Sequence, residues 1–301
     1  MPAGLRSERA GATVVVLAPA LAMIDLHTHS TVSDGTETPA EVVRLALDAG
    51  CAGLAITDHD TLDHLPLATA AAEAAEMRLV TGCEISCATD APGALHILVY
   101  FVDGASPLAR RLGALQTARE DRNERIVAAL RGHGIDITLD EVLAEAGDAT
   151  SVGRPHVARV LVRKGAAASI QDGFDRWLGK GRPAYAERER LHAEDAVGLA
   201  HASGAVTSLA HPYSLELTPS ALDEEVGRLA TLGVDAMECI YGRYSPGERR
   251  ELQDLAARHG LAVTGGSDYH GDNKPDIAVG VGRGDLEVPI ELLDRLEELR
   301  P

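Results

Sequence analysis

The chain has 301 residues, with 28 Lys and Arg against 46 Asp and Glu for a net charge of -18, 45% hydrophobic residues and only 3% aromatic ones. This is the composition of a soluble globular protein of one large domain or two medium ones. The acidic surface and scarce stacking platforms argue against binding a long nucleic acid, whereas a small anionic substrate can still be held in a local basic pocket.

At the N-terminus, Val14 to Ala22 is apolar, follows two arginines and ends in Ala20-Leu21-Ala22. This pattern is similar to a weak secretory signal, but Pro19 breaks the run and Met23 directly precedes the first motif. Residues 1–22 therefore read as a misassigned start or a dispensable extension, whose deletion should leave activity intact. No segment approaches the roughly 20 apolar residues of a membrane span. The four cysteines, Cys51, Cys83, Cys87 and Cys239, lie in apolar settings without a second C-x-x-x-C pair. They read as buried free thiols in a reducing, cytoplasmic setting.

Met23 to Leu26 reads as a strand that delivers His27 and His29 on one face, since strand side chains alternate. Two imidazoles on one face can share a metal, although a lone His-x-His pair is common. Thr38-Pro39-Ala40-Glu41 is a capping box with Pro at the first helical position, and the helix it opens stops at Gly50. A strand over Ala52 to Thr57 ends in T-D-H-D-T. An alanine-rich helix around 65–77, a strand over Arg78 to Cys83 followed by Glu84, and a strand over His96 to Val102 continue the pattern. Strand, helix and strand in alternation are the grammar of a parallel α/β sheet or barrel.

From about Leu108 to Gly181 the periods are purely helical: one through Ala118 to Leu130, one after Thr138, and one opened by Gly153-Arg154-Pro155 and closed by Lys164-Gly165. Strands return at Ala205 to Leu209, Val234 to Ile240 and Leu261 to Thr264. The expected organisation is an α/β domain over residues 23–107 and 182–301, interrupted by a helical insertion over 108–181, with no internal repeat. No obligatory protein partner is evident.

In an α/β barrel the strand ends converge on one mouth. His27, His29, Asp34, His59, Glu84, His96, His211, Asp268 and His270 all stand in motifs at strand ends, and would gather around one cavity. So many ionisable groups are costly to bury unless cations pair with them. Imidazole and carboxylate without thiolate suit Mn, Fe or Zn in a polynuclear catalytic site.

D-L-H-T-H-S, T-D-H-D-T, the isolated Glu84, A-H-P and S-D-Y-H resemble, in order, the motifs of the polymerase and histidinol phosphatase (PHP) phosphoesterases. The resemblance implies a distorted (β/α)7 barrel and three divalent ions, Mn before Fe or Zn. One ion would take His27, His29, Glu84 and Asp268. A second would share Glu84 and add His96 and His211, and a third would take Asp34, His59 and His270. Glu84, His96, His211 and Asp268 would stand at the catalytic centre.

R-N-E-R (122–125) and G-R-P-H (153–156) resemble the subgroup that hydrolyses nucleoside 3′,5′-bisphosphates, which also includes a 5′ to 3′ exonuclease on short RNA. The implied reaction is loss of the 3′-phosphate to a metal-activated hydroxide, with Arg122, Asn123, Arg125, Arg154 and His156 as substrate contacts. Arg122 and Arg125, three apart on a helix, can face one phosphate. Pro155 at a helix start places Arg154 at its positive end. Lys180, between glycines, either contacts a phosphate or caps a turn. The alternatives are the exonuclease on short oligoribonucleotides and, from another class, a non-catalytic metal-binding module.

Overall fold

The computed structural model describes residues 23–147, 152–186 and 189–301, apart from the side chains of 117–120. The N-terminal extension therefore lies outside the described residues. The elements that build the barrel begin with β1 (Met23–Asp25), α1 (Pro39–Asp48), β2 (Cys51–Ile56), α2 (Leu65–Ala74), β3 (Arg78–Cys87) and β4 (Leu95–Tyr100). A helical excursion follows through α3 (Pro107–Gly132), α4 (Leu139–Ala146), α5 (Arg154–Arg163) and α6 (Ile170–Gly173), which runs into a π-helical turn over Phe174–Leu178. The barrel resumes with α7 (Ala193–Ala202), β5 (Val206–Leu209), α8 (Pro219–Leu232), β6 (Ala236–Tyr241), α9 (Pro246–Arg258), β7 (Ala262–Gly266) and α10 (Glu291–Glu298).

The seven strands form one sheet in the order β1-β2-β3-β4-β5-β6-β7. All neighbours are parallel except β4, which runs antiparallel to both β3 and β5. The first and last strands nearly close the circle: Leu26 N donates to Gly265 O at 3.2 Å, and beyond the strand ends Asp268 N donates to His27 O at 2.7 Å. Gly266 is required at this seam, because a Cβ there would stand 2.5 Å from the backbone nitrogen of His27. The fold is the distorted (β/α)7 barrel that the motifs implied.

Two strand readings change. β3 continues past Cys83 to Cys87, so Glu84 lies within the strand and not after it. Cys83, Ile85 and Cys87 are buried against the outer helices, while Glu84 and Ser86 take the inner face. The strand read from His96 runs as β4 from Leu95, and it is antiparallel where a parallel strand was expected. Because β4 is reversed, its first residues arrive at the same mouth as the last residues of its neighbours. The register pairs Glu84 with Leu98 and Ser86 with His96, which makes Glu84 and His96 diagonal neighbours on one face.

Leu26, Leu98, Tyr100, Ala210 and Val288 fill the barrel interior, and the Tyr100 hydroxyl donates to Leu26 O at 3.0 Å. A second apolar layer packs α7, α8 and α9 on the sheet. α3 is a single 26-residue helix and starts well before Ala118. Its first turns bury Leu108, Leu112 and Leu115 against the barrel, and its last turns bury Ile126, Val127 and Leu130 in a separate cluster with α4 and α5. The change of apolar face along one helix is why only its second half shows a clear period. All four cysteines are buried free thiols. No helix among the described residues is long and apolar enough to cross a membrane.

Candidate metal centre and substrate cleft

The nine candidate ligands do converge at the barrel mouth, and they surround Glu84. Its Oε1 lies 2.7 Å from His96 Nδ1 and 2.8 Å from His211 Nε2. Its Oε2 faces His59 Nδ1 at 3.0 Å, His29 Nε2 at 3.3 Å and His27 Nε2 at 3.4 Å. His27 Nε2 and His29 Nε2 are 3.1 Å apart, and each lies 3.4 Å from Asp268 Oδ1. Two donors each about 2.1 Å from one ion lie about 3.0 Å apart at a right angle and about 3.4 Å apart at the tetrahedral angle. The separations at Glu84 Oε2 and Asp268 Oδ1 and that between His27 and His29 fall in that interval, and the two at Glu84 Oε1 are slightly shorter.

The residues capable of sharing an ion form overlapping groups: His27, His29 and Asp268; His27, Glu84 and His211; His59, Glu84 and His96; and His29, Asp34, His59 and His270. The last group contains the Asp34, His59 and His270 set expected from the sequence and adds His29. His59 also stands beside Glu84, so it links two groups that the sequence reading kept apart.

The chemistry of this donor set fits divalent cations. Glu84 Oε2 is buried and has no hydrogen-bond partner, although three imidazole nitrogens face it. Outer partners fix which nitrogen three of the imidazoles point inward. His27 Nδ1 lies 2.9 Å from Glu238 Oε1, leaving Nε2 to face the cluster. Ser214 Oγ donates to Ala94 O, so it accepts from His211 Nδ1 at 2.8 Å. His270 Nδ1 donates to Asp268 O at 2.9 Å, which aims Nε2 at Asp34.

Burial raises the Glu84 carboxyl, but His59, His96 and His27 hold it well below the usual carboxylate range. Asp268 is likewise held low against burial by Lys274, His27 and His270. Burial opposes protonation of His27, yet Glu238, Asp268 and Glu84 push it well above an ordinary imidazole. His29 is raised to about 9 against burial by Asp268 and Glu84, whereas burial takes His59 down to about 4. The positive charge that these carboxylates require can be carried by protons on His27 and His29, or by divalent cations that displace those protons.

The loops that carry the ligands are tied from below. Asp58 Oδ1 accepts from Ser30 N and Ser33 Oγ at 2.8 and 2.6 Å, which holds the turn between His29 and Asp34. Asp60 accepts from Ser86 N at 2.9 Å. The two aspartates of T-D-H-D-T thus frame His59 in place. Asp60, His211 and Asp268 adopt left-handed backbone despite carrying side chains, strain that the surrounding bonds sustain.

Three residues at the cluster escaped the sequence reading. Glu238, fully buried on β6, accepts from His211 N at 2.8 Å as well as facing His27. A lone carboxylate inside the apolar run M-E-C-I-Y was the available signal. The Tyr241 hydroxyl donates to Asp268 Oδ2 at 2.6 Å, and Lys274 Nζ contacts the same oxygen. No local pattern marked either residue. Glu238→Gln is expected to weaken metal binding about tenfold, the scale of outer-partner losses. Titration of the metal-free variant with Mn, read by calorimetry, checks this; unchanged affinity would make Glu238 a packing residue.

Beside the cluster lies a cavity of ≈ 260 Å³. Its lining takes Asp34, His59 and His96 from the barrel mouth and Arg122, Arg154 and His156 from the helical excursion, joined by Arg190. Arg154 Nη1 donates to Leu178 O at 3.0 Å, and its guanidinium lies over the Phe174 and Tyr185 rings at 5.6 and 5.7 Å. Asn123 does not line this cavity. Its amide donates to Val152 O at 2.9 Å and its oxygen accepts from Arg122 at 3.1 Å, so it positions Arg122 and the loop before α5. His156 Nδ1 accepts from Gly153 N at 3.0 Å, capping α5 while lining the cavity.

The expected pairing of Arg122 with Arg125 is not formed: Arg122 is buried at the cavity, whereas Arg125 is exposed one turn further along α3 and lines no part of it. Lys180 is exposed in the turn before Gly181 and lines an adjoining cavity. Arg190 had no motif to mark it.

The family profile for the PHP domain matches residues 25–211. The 5′-3′ exoribonuclease Rnm of Salmonella typhimurium is 34% identical over 248 residues, covering 82% of this chain and 84% of its own. The 3′,5′-nucleoside bisphosphate phosphatase of Chromobacterium violaceum is 32% identical over 251 residues, covering 83% and 88%. A structure assigned as a metal-dependent phosphoesterase from Bifidobacterium adolescentis superposes with a TM-score of 0.78 at 30% identity, covering 93% of this chain and 96% of that one. With its barrel and its ring of histidines and carboxylates, this chain belongs to the PHP family and is a hydrolase acting on phosphate esters.

Proposed function

We propose that this enzyme removes the 3′-phosphate from nucleoside 3′,5′-bisphosphates, using up to three divalent ions, Mn first. The observation that carries the reading is the cavity whose lining brings Asp34, His59 and His96 together with Arg122, Arg154 and Arg190. Its size suits about one nucleotide. A bisphosphate spans the cavity with the scissile phosphate at the histidines and the other phosphate at the arginines. Gly153, Pro155 and His156 line the same wall, so the positive end of α5 adds to the attraction. Divalent cations bound by the cluster would polarise phosphoryl oxygens and lower the pKa of an attacking water. Glu84 and Asp268 hold the cluster together. Arg122 and Arg154 grip the phosphate that stays.

A second reading, 5′ to 3′ exonuclease action on short oligoribonucleotides, is favoured by an adjoining cavity of ≈ 730 Å³ that shares Arg122, Arg154 and Arg190 with the first. The net charge of -18 supports a small nucleotide over a long nucleic acid in either case. The test is a panel of mononucleotides, bisphosphates and short oligomers assayed with Mn. The expected result is the highest kcat/KM on the bisphosphate, loss of activity on chelation and recovery on adding Mn back. Faster release of mononucleotide from a 5′-labelled dinucleotide would transfer the assignment to the exonuclease.

A further inference from the structure

The two cavities are the first parts of a longer trough. The second shares Lys180, His192 and part of the 88–92 loop with a third cavity of ≈ 860 Å³ that reaches α8. The lining reverses sign along this path. The second cavity has Arg122, Arg154, Lys180 and Arg190 against Glu189 alone. In the third, Asp90, Glu194, Glu224 and Glu225 face Lys180 and Arg228. Arg228 is already bound by both Glu225 oxygens, at 2.6 and 2.7 Å.

We propose that this reversal is a length gate for the nucleotide: the trough accepts phosphates as far as Lys180, and the carboxylates beyond it reject the next. The inference rests on the nucleotide reading above and specifies it. A strand whose 3′-terminal phosphate sits at the histidines sends its remaining phosphates, toward the 5′ end, along the basic section, each gaining a charge-assisted contact. The first phosphodiester to pass Lys180 meets like charge at Glu194 and Glu224, both exposed on their helices. Repulsion from two such carboxylates reduces affinity roughly threefold to tenfold. Affinity should therefore rise with oligomer length, pass through a maximum and fall.

The test measures inhibition of aryl phosphate hydrolysis by the full-length, Mn-loaded protein, with 3′-phosphorylated oligoribonucleotides of increasing length as competitors. The wild type is expected to show the maximum, and the Glu194→Gln/Glu224→Gln double variant to lose the fall by roughly threefold to tenfold at the longer lengths. KM for the aryl ester is determined alongside for each protein. An affinity that keeps rising in the wild type, or a fall identical in both proteins, would overturn the gate while leaving the nucleotide reading in place. Turnover of the aryl ester without inhibition by any nucleotide would overturn both.

Discussion

Replacing Glu84 by alanine is expected to abolish turnover and to lower bound metal. The carboxylate presents one oxygen to His96 and His211 and the other to His27, His29 and His59, so it belongs to two separate donor groups. An anion shared in this way offsets the repulsion between neighbouring cations, and without it their charges face each other directly. His27, His211 and His270 are held from outside by Glu238, Ser214 and the Asp268 carbonyl, and a neutral imidazole cannot supply the missing negative charge. The check is metal content by elemental analysis together with turnover of an aryl phosphate. Full metal content with wild-type turnover would remove Glu84 from the centre. A folded variant, shown by an unaltered far-UV spectrum, separates this outcome from collapse of the barrel.

The nine candidate ligands were legible because most of them sit in short motifs where strand or loop geometry alone fixes which side chains face together. His27 and His29 share a face through strand alternation, and the turn that carries Asp34 follows within a few residues. The reason His96 belongs with them went unread. The reading placed it at the start of a strand, whose neighbours carry their ligands at their ends, and it reaches the mouth only because β4 is reversed. The reversal comes from the short connection 88–94, too short for a crossover helix, which makes β3 and β4 an antiparallel pair. The turn residues Asp90, Pro92 and Gly93 carried that signal, and the strand-and-helix reading did not use it.

Distant contacts explain other misses. Glu238 acts through His27, 211 residues away, and Lys274 reaches Asp268 across a turn whose conformation depends on contacts such as Asn273 to Asp34 O. Arg122 and Arg125 were correctly placed on one helix. Three residues along a helix leave an offset of only about 60° but a rise of about 4.5 Å, so the second guanidinium stands nearly a full turn further along than the small cavity reaches. The helical excursion was visible from its loss of strand period, but not the use of α3 by two separate cores.

Arg154→Ala is expected to discriminate between substrates. The guanidinium is held between Phe174 and Tyr185 and tethered to Leu178 O, so it is ordered before any substrate arrives and loses little freedom on binding a phosphate. If it grips the phosphate that is not cleaved, its loss removes a charge-assisted contact worth about 2 kcal/mol. The expected result is a fall in kcat/KM of about tenfold to a hundredfold on a nucleoside 3′,5′-bisphosphate, since about 1.4 kcal/mol is tenfold. An aryl phosphate, with no second phosphate to lose, should change little. Truncation also leaves space between the two rings, so Arg154→Lys is the necessary companion. Lysine keeps the charge but not the planar fork, and should recover only part of the bisphosphate rate. Equal losses on both substrates would place Arg154 at the scissile phosphate. No loss on either would reduce it to a clamp holding the Phe174–Leu178 turn against α5.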